Sequence, residues 1–323
     1  MLAALHFVPA LRVYAAGSGH DMFSLPQTAA EVIALTGKAT PSVLYLGTAS
    51  YDNLAAADAQ LHGFADSGCA IANLSVSYLT PTNATMRAAV AAADIILVSG
   101  GNTLFATDRW RRLGLDALVK QSDAVLAGGS AGGCAWFDGC ASDSMDPRTY
   151  KNPPGPALDP SLNSTALAKL WSYIRVPALG VLPGLFCPHY DIVESNGELR
   201  ATMFTNHLQH HTGEYGLAID NWAALVVEDA AYHIASRTGK PGSVAKDGTF
   251  TANFSAGRPG AWSVAIDGAT GALLRTLVPA SGRVSELLKP ARYIAADAML
   301  PVARVFNPDD GRAPTASITE CLY

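Results

Sequence analysis

Two short stretches hold the residue types of nucleophilic catalysis. The first is Gly128-Gly129-Ser130-Ala131-Gly132, a G-x-S-x-G sequence at the end of the apolar run Ala124–Gly128. Glycines on both sides let a strand turn sharply into a helix, so that the hydroxyl is held out above the turn. A helix starting there also aims its first N–H groups at the same point, where they favour a developing oxyanion. A plain structural turn or a phosphate-holding turn would use the same glycines. A phosphate loop usually adds a lysine, which this stretch lacks. Ser130 therefore reads as a candidate nucleophile.

A serine nucleophile needs a base and a group that orients the base. The chain has eight histidines. His189, in Leu185-Phe186-Cys187-Pro188-His189-Tyr190-Asp191, directly follows an apolar run that reads as a strand, and open α/β sheets keep their sites at strand ends. The competing reading is a buried histidine satisfied by its neighbours. His207, His210 and His211 occupy a polar helical stretch with no acidic or cysteine partner, which suits a solvated face better than a metal site. A second glycine turn, Ser99-Gly100-Gly101-Asn102-Thr103, closes another apolar run and opens a helix. Its N–H groups can supply one oxyanion donor and that of Ala131 another, although alone it reads equally as an ordinary turn.

The elements that must carry these residues alternate. Leu11–Ala16, Ser42–Gly47, Ala70–Tyr78, Asp94–Ser99 and Ala124–Gly128 read as buried strands. Helical patterns lie between them at Thr28–Leu35, Ala55–Ser67, Thr85–Ala93, capped by Thr82 or Asn83, and Leu104–Gln121, broken at Gly114. This order predicts an α/β fold with a mostly parallel sheet covered by helices on both faces. Residues 142–162 read as a long loop near the Ser130 end of the sheet. Beyond it come an apolar run at Leu179–Cys187, a helix at Leu199–Thr212, and strands at Tyr215–Asp220 and Ala223–Glu228. After Asp229, short alternating runs such as Trp262–Ile266 and Leu273–Leu277 predict antiparallel strands added at an edge. One domain over residues 1–295 and a C-terminal tail over 296–323 are expected.

Composition sets limits on partners. The 323 residues are 49% hydrophobic and 15% charged, with a net charge of −5. A general basic field for nucleic acid is excluded, and no apolar run reaches the roughly 18 residues of a membrane span. Five scattered cysteines without paired spacing suggest neither a disulfide framework nor a zinc site. The first residues resemble a targeting segment only faintly, lacking a basic start. Four sequons, at Asn73, Asn83, Asn163 and Asn253, exceed the roughly one or two expected by chance and hint at secretion. A cytoplasmic location is the expectation, with secretion the alternative. The expected partner is a small peptide, with neither nucleic acid nor membrane, and a homodimer is allowed.

Val98-Ser99-Gly100-Gly101-Asn102-Thr103-Leu104-Phe105, then the Ser130 stretch, then Pro188-His189-Tyr190-Asp191, together resemble the peptidase E family of serine peptidases, which includes aspartyl dipeptidase and cyanophycinase. The resemblance runs from about Leu11 to Pro290. It implies a glutamine-amidotransferase-like α/β sandwich, with no cofactor, Ser130 as nucleophile, His189 as base, and the Gly101 and Ala131 amides as oxyanion donors. For the third triad member it points to Asp220, in Gly216-Leu217-Ala218-Ile219-Asp220, at a position shifted by one residue and with Asp in place of Glu. Asp143 is the alternate, and Asp191 lies too near His189 in the chain to be preferred. Arg200 resembles the family's substrate arginine, which implies dipeptides with an N-terminal Asp. Broader dipeptidase or cyanophycinase-like activity, and a non-catalytic binding protein on the same fold, are the alternatives.

Overall fold

The computed structural model describes residues 11–149, 171–210 and 214–289. The first ten residues, most of the expected loop at 142–162, His211 and the tail at 296–323 lie outside them.

Fourteen strands form two sheets among the described residues. They are β1 (Arg12–Ala16), β2 (Ser42–Leu46), β3 (Ala70–Asn73), β4 (Ile95–Val98), β5 (Val125–Gly129), β6 (Phe137–Ser142), β7 (Ile174–Pro177), β8 (Leu182–Cys187), β9 (Tyr215–Ile219), β10 (Ala223–Glu228), β11 (Ala231–Ser236), β12 (Ala261–Ile266), β13 (Leu273–Leu277) and β14 (Ser281–Arg283). The larger sheet runs β14-β11-β10-β1-β5-β4-β2-β3, and the smaller runs β13-β12-β9-β8-β6-β7. Strands β1 to β5 pair in parallel, as do β6 with β8 and β8 with β9. Antiparallel strands complete both sheets, β10, β11 and β14 in one and β7, β12 and β13 in the other. The fold is thus of the mixed α/β class that the alternation predicts, with the strands parted into two sheets rather than gathered in one.

Side chains alternate across a strand, and on β1, β2, β4 and β5 both faces are buried, whereas β3, at the edge of the sheet, is exposed and ends at Asn73 rather than running buried to Tyr78 as expected. On β1, Val13 and Ala15 join a core shared with Phe186, Leu217 and Ile219 of the smaller sheet. Tyr14 and Ala16 face the other way, into a core with Val32 and Phe64 from helices Pro26–Ala34 and Leu54–Asp66. That double burial is why these strands read as unbroken apolar runs.

The helix signals behave as their chemistry dictates. Thr82 accepts the Thr85 N–H at one helix start, and Asn102 accepts the Phe105 N–H at another. Such caps contribute about 1 kcal/mol each. Gly114, at φ 70°, ends helix Thr103–Leu113 and separates it from Leu115–Lys120. No helix among the described residues is long and apolar enough to cross a membrane.

Candidate active site

Ser130 stands between β5 and the short helix Ala131–Cys134, with φ 55° and ψ −121°. A non-glycine residue in that region costs on the order of 1–3 kcal/mol and persists only where its surroundings impose it. Its N–H donates to the Ala16 carbonyl at 3.2 Å, which fastens the turn to the end of β1. Gly129 permits the approach, since a Cβ there would run into the Ser18 carbonyl. The side chain itself is half-buried.

The glycine turn after β4 lies alongside. The point where a side chain would begin on Gly100 is 3.5 Å from Ser130 Cβ. Gly101 has φ 126°, and a Cβ would strike the Ala49 carbonyl. Among the described residues no hydrogen bond takes the Gly101 or the Ala131 N–H, so both remain available to a ligand oxygen. Asn102 anchors this turn. Its oxygen caps the following helix, while Nδ2 donates to the Ser144 carbonyl at 2.9 Å and to Thr149 Oγ1 at 3.0 Å. Sequence reasoning did not single out Ser144; its hydroxyl also accepts the Leu104 N–H at 3.0 Å.

His189 follows β8 and also sits at positive φ, 51°. It is half-buried, and its Nδ1 lies 2.6 Å from Asn221 Oδ1. On the far side, Asn221 Nδ2 donates to Asp21 Oδ2 at 2.8 Å. A carboxylate only accepts, so the Asn221 edge facing Asp21 is its NH₂ and the edge facing His189 is its oxygen. With that edge toward it, a neutral His189 would donate from Nδ1 and leave Nε2 to accept a proton. No hydrogen bond joins His189 to Ser130 Oγ among the described residues; such bonds are often long before substrate binds.

The two parts meet at the carboxyl end of β1. Ala16 receives the Ser130 N–H on one side, and the Gly17 N–H donates to Ala223 at 2.9 Å on the other, two residues beyond Asn221. Phe186 packs against Gly133 in the helix behind Ser130.

Three expected residues serve elsewhere. Asp220 has no hydrogen bond to His189 among the described residues. It is fully buried and accepts from the Ser243 N–H and hydroxyl and from the Gly260 N–H, at 2.7–2.9 Å. Burial, reinforced by nearby Asp191, pushes its carboxyl up to about 7 against those hydrogen bonds. Asp143 lies with Arg200, at 3.3 Å, rather than with His189. Arg200 is 1% exposed and already holds Glu194 at 3.1 Å, Asp143, and the Ala141 carbonyl at 3.1 Å, with its guanidinium 4.6 Å over the Tyr173 ring. The guanidinium is thus already engaged by the protein's own acids, a backbone carbonyl and an aromatic ring. Asp191 accepts the Asn221 N–H at 2.7 Å and is raised by burial, with that bond and the charge of His189 opposing. Of the other histidines, His207 is buried and His210 exposed.

Comparison with known proteins bears on this site. The sequence model described as Peptidase family S51 matches residues 13–235, a span that includes Ser130, His189 and Asn221. An uncharacterized peptidase of Bacillus subtilis, YgaJ, is 29% identical over 204 residues, 62% of this chain and 75% of that protein. A Trypanosoma brucei brucei protein named G2/mitotic-specific cyclin-1 is 30% identical over 246 residues, 66% of this chain and 72% of its own. That name is said of the trypanosome protein alone. Among solved structures, a peptidase E candidate from Listeria monocytogenes EGD-e aligns with TM-score 0.50 and 16% identity, over 71% of this chain and 100% of that one. A peptidase from an acI-B1 Actinobacterium aligns with TM-score 0.50 and 17% identity, over 84% and 96%. At such identities the two structures speak for the fold.

Proposed function

The chain belongs to peptidase family S51 and is a serine-type peptidase, and from that premise we propose that it hydrolyses short peptides through a Ser130–His189–Asn221 triad and an acyl-enzyme. The single observation that carries the reading is Ser130 at positive φ on a strand-to-helix turn, beside two amides that have no hydrogen-bond partner among the described residues.

In this mechanism Ser130 Oγ attacks the carbonyl carbon of the peptide bond while His189 Nε2 takes the hydroxyl proton. The carbonyl oxygen becomes an oxyanion facing the Gly101 and Ala131 N–H groups, each of which supplies about 10²–10³ in turnover in comparable sites. As the tetrahedral species collapses, the C–N bond breaks and His189 passes its proton to the leaving amine. Water then attacks the ester, with His189 again as base, and the carboxylate product leaves with Ser130 restored. Asn221 keeps the Nδ1–H in place, the part an asparagine plays in Cys-His-Asn peptidases.

Substrate range follows from Arg200. Its charge is already met by Asp143 and Glu194, so the carrier expected for N-terminal Asp selectivity is occupied. A broader preference among dipeptides fits better than an aspartyl one. The test is a dipeptide panel, with free and blocked N-termini, assayed with wild type and Ser130→Ala. Cleavage of several unblocked dipeptides that falls by at least ~10⁴ in the variant supports the proposal. Equal rates in the two proteins would end it.

A further inference from the structure

We propose that Asp21 is a positioning residue for His189: through the Asn221 amide it selects the imidazole tautomer that can act as a base and places a negative charge behind it. The inference rests on the serine-peptidase reading of Ser130 and His189, and deepens it.

The difficulty it resolves is chemical. An amide has two edges, one accepting and one donating. If Asn221 turned its NH₂ toward His189, Nδ1 would have to accept and Nε2 would carry the hydrogen. The imidazole could then take no proton from Ser130. A carboxylate orienter has no such wrong edge, so a triad built on asparagine needs something to stop the flip.

Asp21 is placed to stop it. Its Oδ2 receives Asn221 Nδ2 at 2.8 Å, and a carboxylate offers nothing to a reversed amide. Asn221 is itself 4% exposed and held by its main chain, its N–H donating to Asp191 at 2.7 Å. Asp21 is held in turn by Ser18, whose hydroxyl donates to Oδ2 at 3.1 Å and accepts the Asp21 N–H at 3.0 Å. Ser18 is the residue whose carbonyl presses on Gly129, next to the nucleophile. One continuous chain of contacts thus runs from the Ser130 turn through Ser18, Asp21 and Asn221 to His189. The charge that asparagine lacks stands one amide further out.

Other titratable groups at this end include Asp191 on the turn of His189 itself, Asp220 beside Asn221, exposed His20 beside Asp21, and Lys240 over the ring of Trp222. None of them touches the Asn221 amide edge that Asp21 holds. The variants below leave all of them in place.

The experiment follows the rate at which a small fluorophosphonate inactivates the protein, across pH. In that reaction the Ser130 Oγ–P bond forms, the P–F bond breaks, fluoride leaves and the hydroxyl proton goes to His189. Asp21→Asn is expected to slow it by about 10²–10⁴, the scale on which a wrong tautomer acts. The acid limb should also move to lower pH, because the imidazolium loses a facing negative charge. The double variant Asp21→Asn/Asn221→Asp reverses the polarity of the pair, and should recover most of the rate with its limb above the wild-type position. An Asp21→Asn protein that reacts at the wild-type rate with an unmoved limb would overturn the proposal, whereas the serine reading falls if the wild type is left unmodified or if Ser130→Ala still reacts. Should Asp21→Asn fail to fold, nitrogen NMR of His189 in the wild-type protein decides instead. A proton on Nδ1 at neutral pH is expected, and a proton on Nε2 overturns the proposal.

Discussion

Asn221 Oδ1 stands 2.6 Å from His189 Nδ1, while Asp220, one residue earlier, is turned inward onto Ser243 and Gly260. The two neighbours are separable by mutation. Asn221→Ala should lower turnover by about 10²–10⁴ with little change in KM, since it frees the tautomer without touching substrate. Asp220→Asn should cost stability with a much smaller effect on turnover. Steady-state kinetics beside thermal melts of both variants check this; the reverse pattern would restore Asp220 to the triad.

The glycine turn after β4 gives a second expectation. Gly101→Ala meets both a φ of 126° and the Ala49 carbonyl, so the turn must shift and carry its N–H away. Turnover should fall by about 10²–10³, the usual effect of losing one oxyanion donor. KM for a good dipeptide should stay within a small factor, because the donor acts on the transition state. A fall in affinity with unchanged kcat would place this turn in ground-state binding instead.

Arg200 gives a third. Arg200→Met leaves Asp143 and Glu194 without their buried cation, and breaking a pair of this kind costs about 3–5 kcal/mol. Denaturant unfolding should show that loss. Any activity that survives should keep its ratio of rates on Asp-Leu and Leu-Leu. A selective loss on Asp-Leu would return Arg200 to the role of substrate reader.

Stability should also depend on pH through Asp220. Burial raises its carboxyl to about 7 in the folded protein, above the ~3.9 of an unfolded chain. Between those values the folded state binds more protons than the unfolded one, so this group's contribution is complete below about pH 4 and is lost as pH rises through about 7. Melting temperatures of wild type and Asp220→Asn across that window isolate it. The gap between the two should change in favour of wild type toward acid, and a constant gap would contradict the assignment.

Much of the fold is legible in the sequence. The strands β1, β2, β4 and β5 are buried on both faces, so their apolar runs stand out, and the Gly114 break and Thr82 cap lie at the helix boundaries. Strand β6 was not legible, because the helix that begins at Ala131 lasts one turn and Phe137–Ser142 returns at once to a sheet. The Ser130 turn announces itself because its strain demands glycine neighbours that sequence displays. The residue proposed to orient His189 does not. At a strand end consecutive side chains face opposite ways, so a shift of one position exchanges Asp220, which faces the core, for Asn221, which faces His189. The partners of Arg200 are hidden for a related reason: Asp143 lies 57 residues away in the chain, and only folding brings it to the guanidinium.

The most direct measurement is mass-spectrometric mapping of the protein after treatment with a small fluorophosphonate. We expect a single adduct, on Ser130, absent in Ser130→Ala and formed far more slowly in His189→Ala. A protein left unmodified under conditions that label other serine peptidases, or one labelled equally well after Ser130→Ala, would contradict the catalytic account.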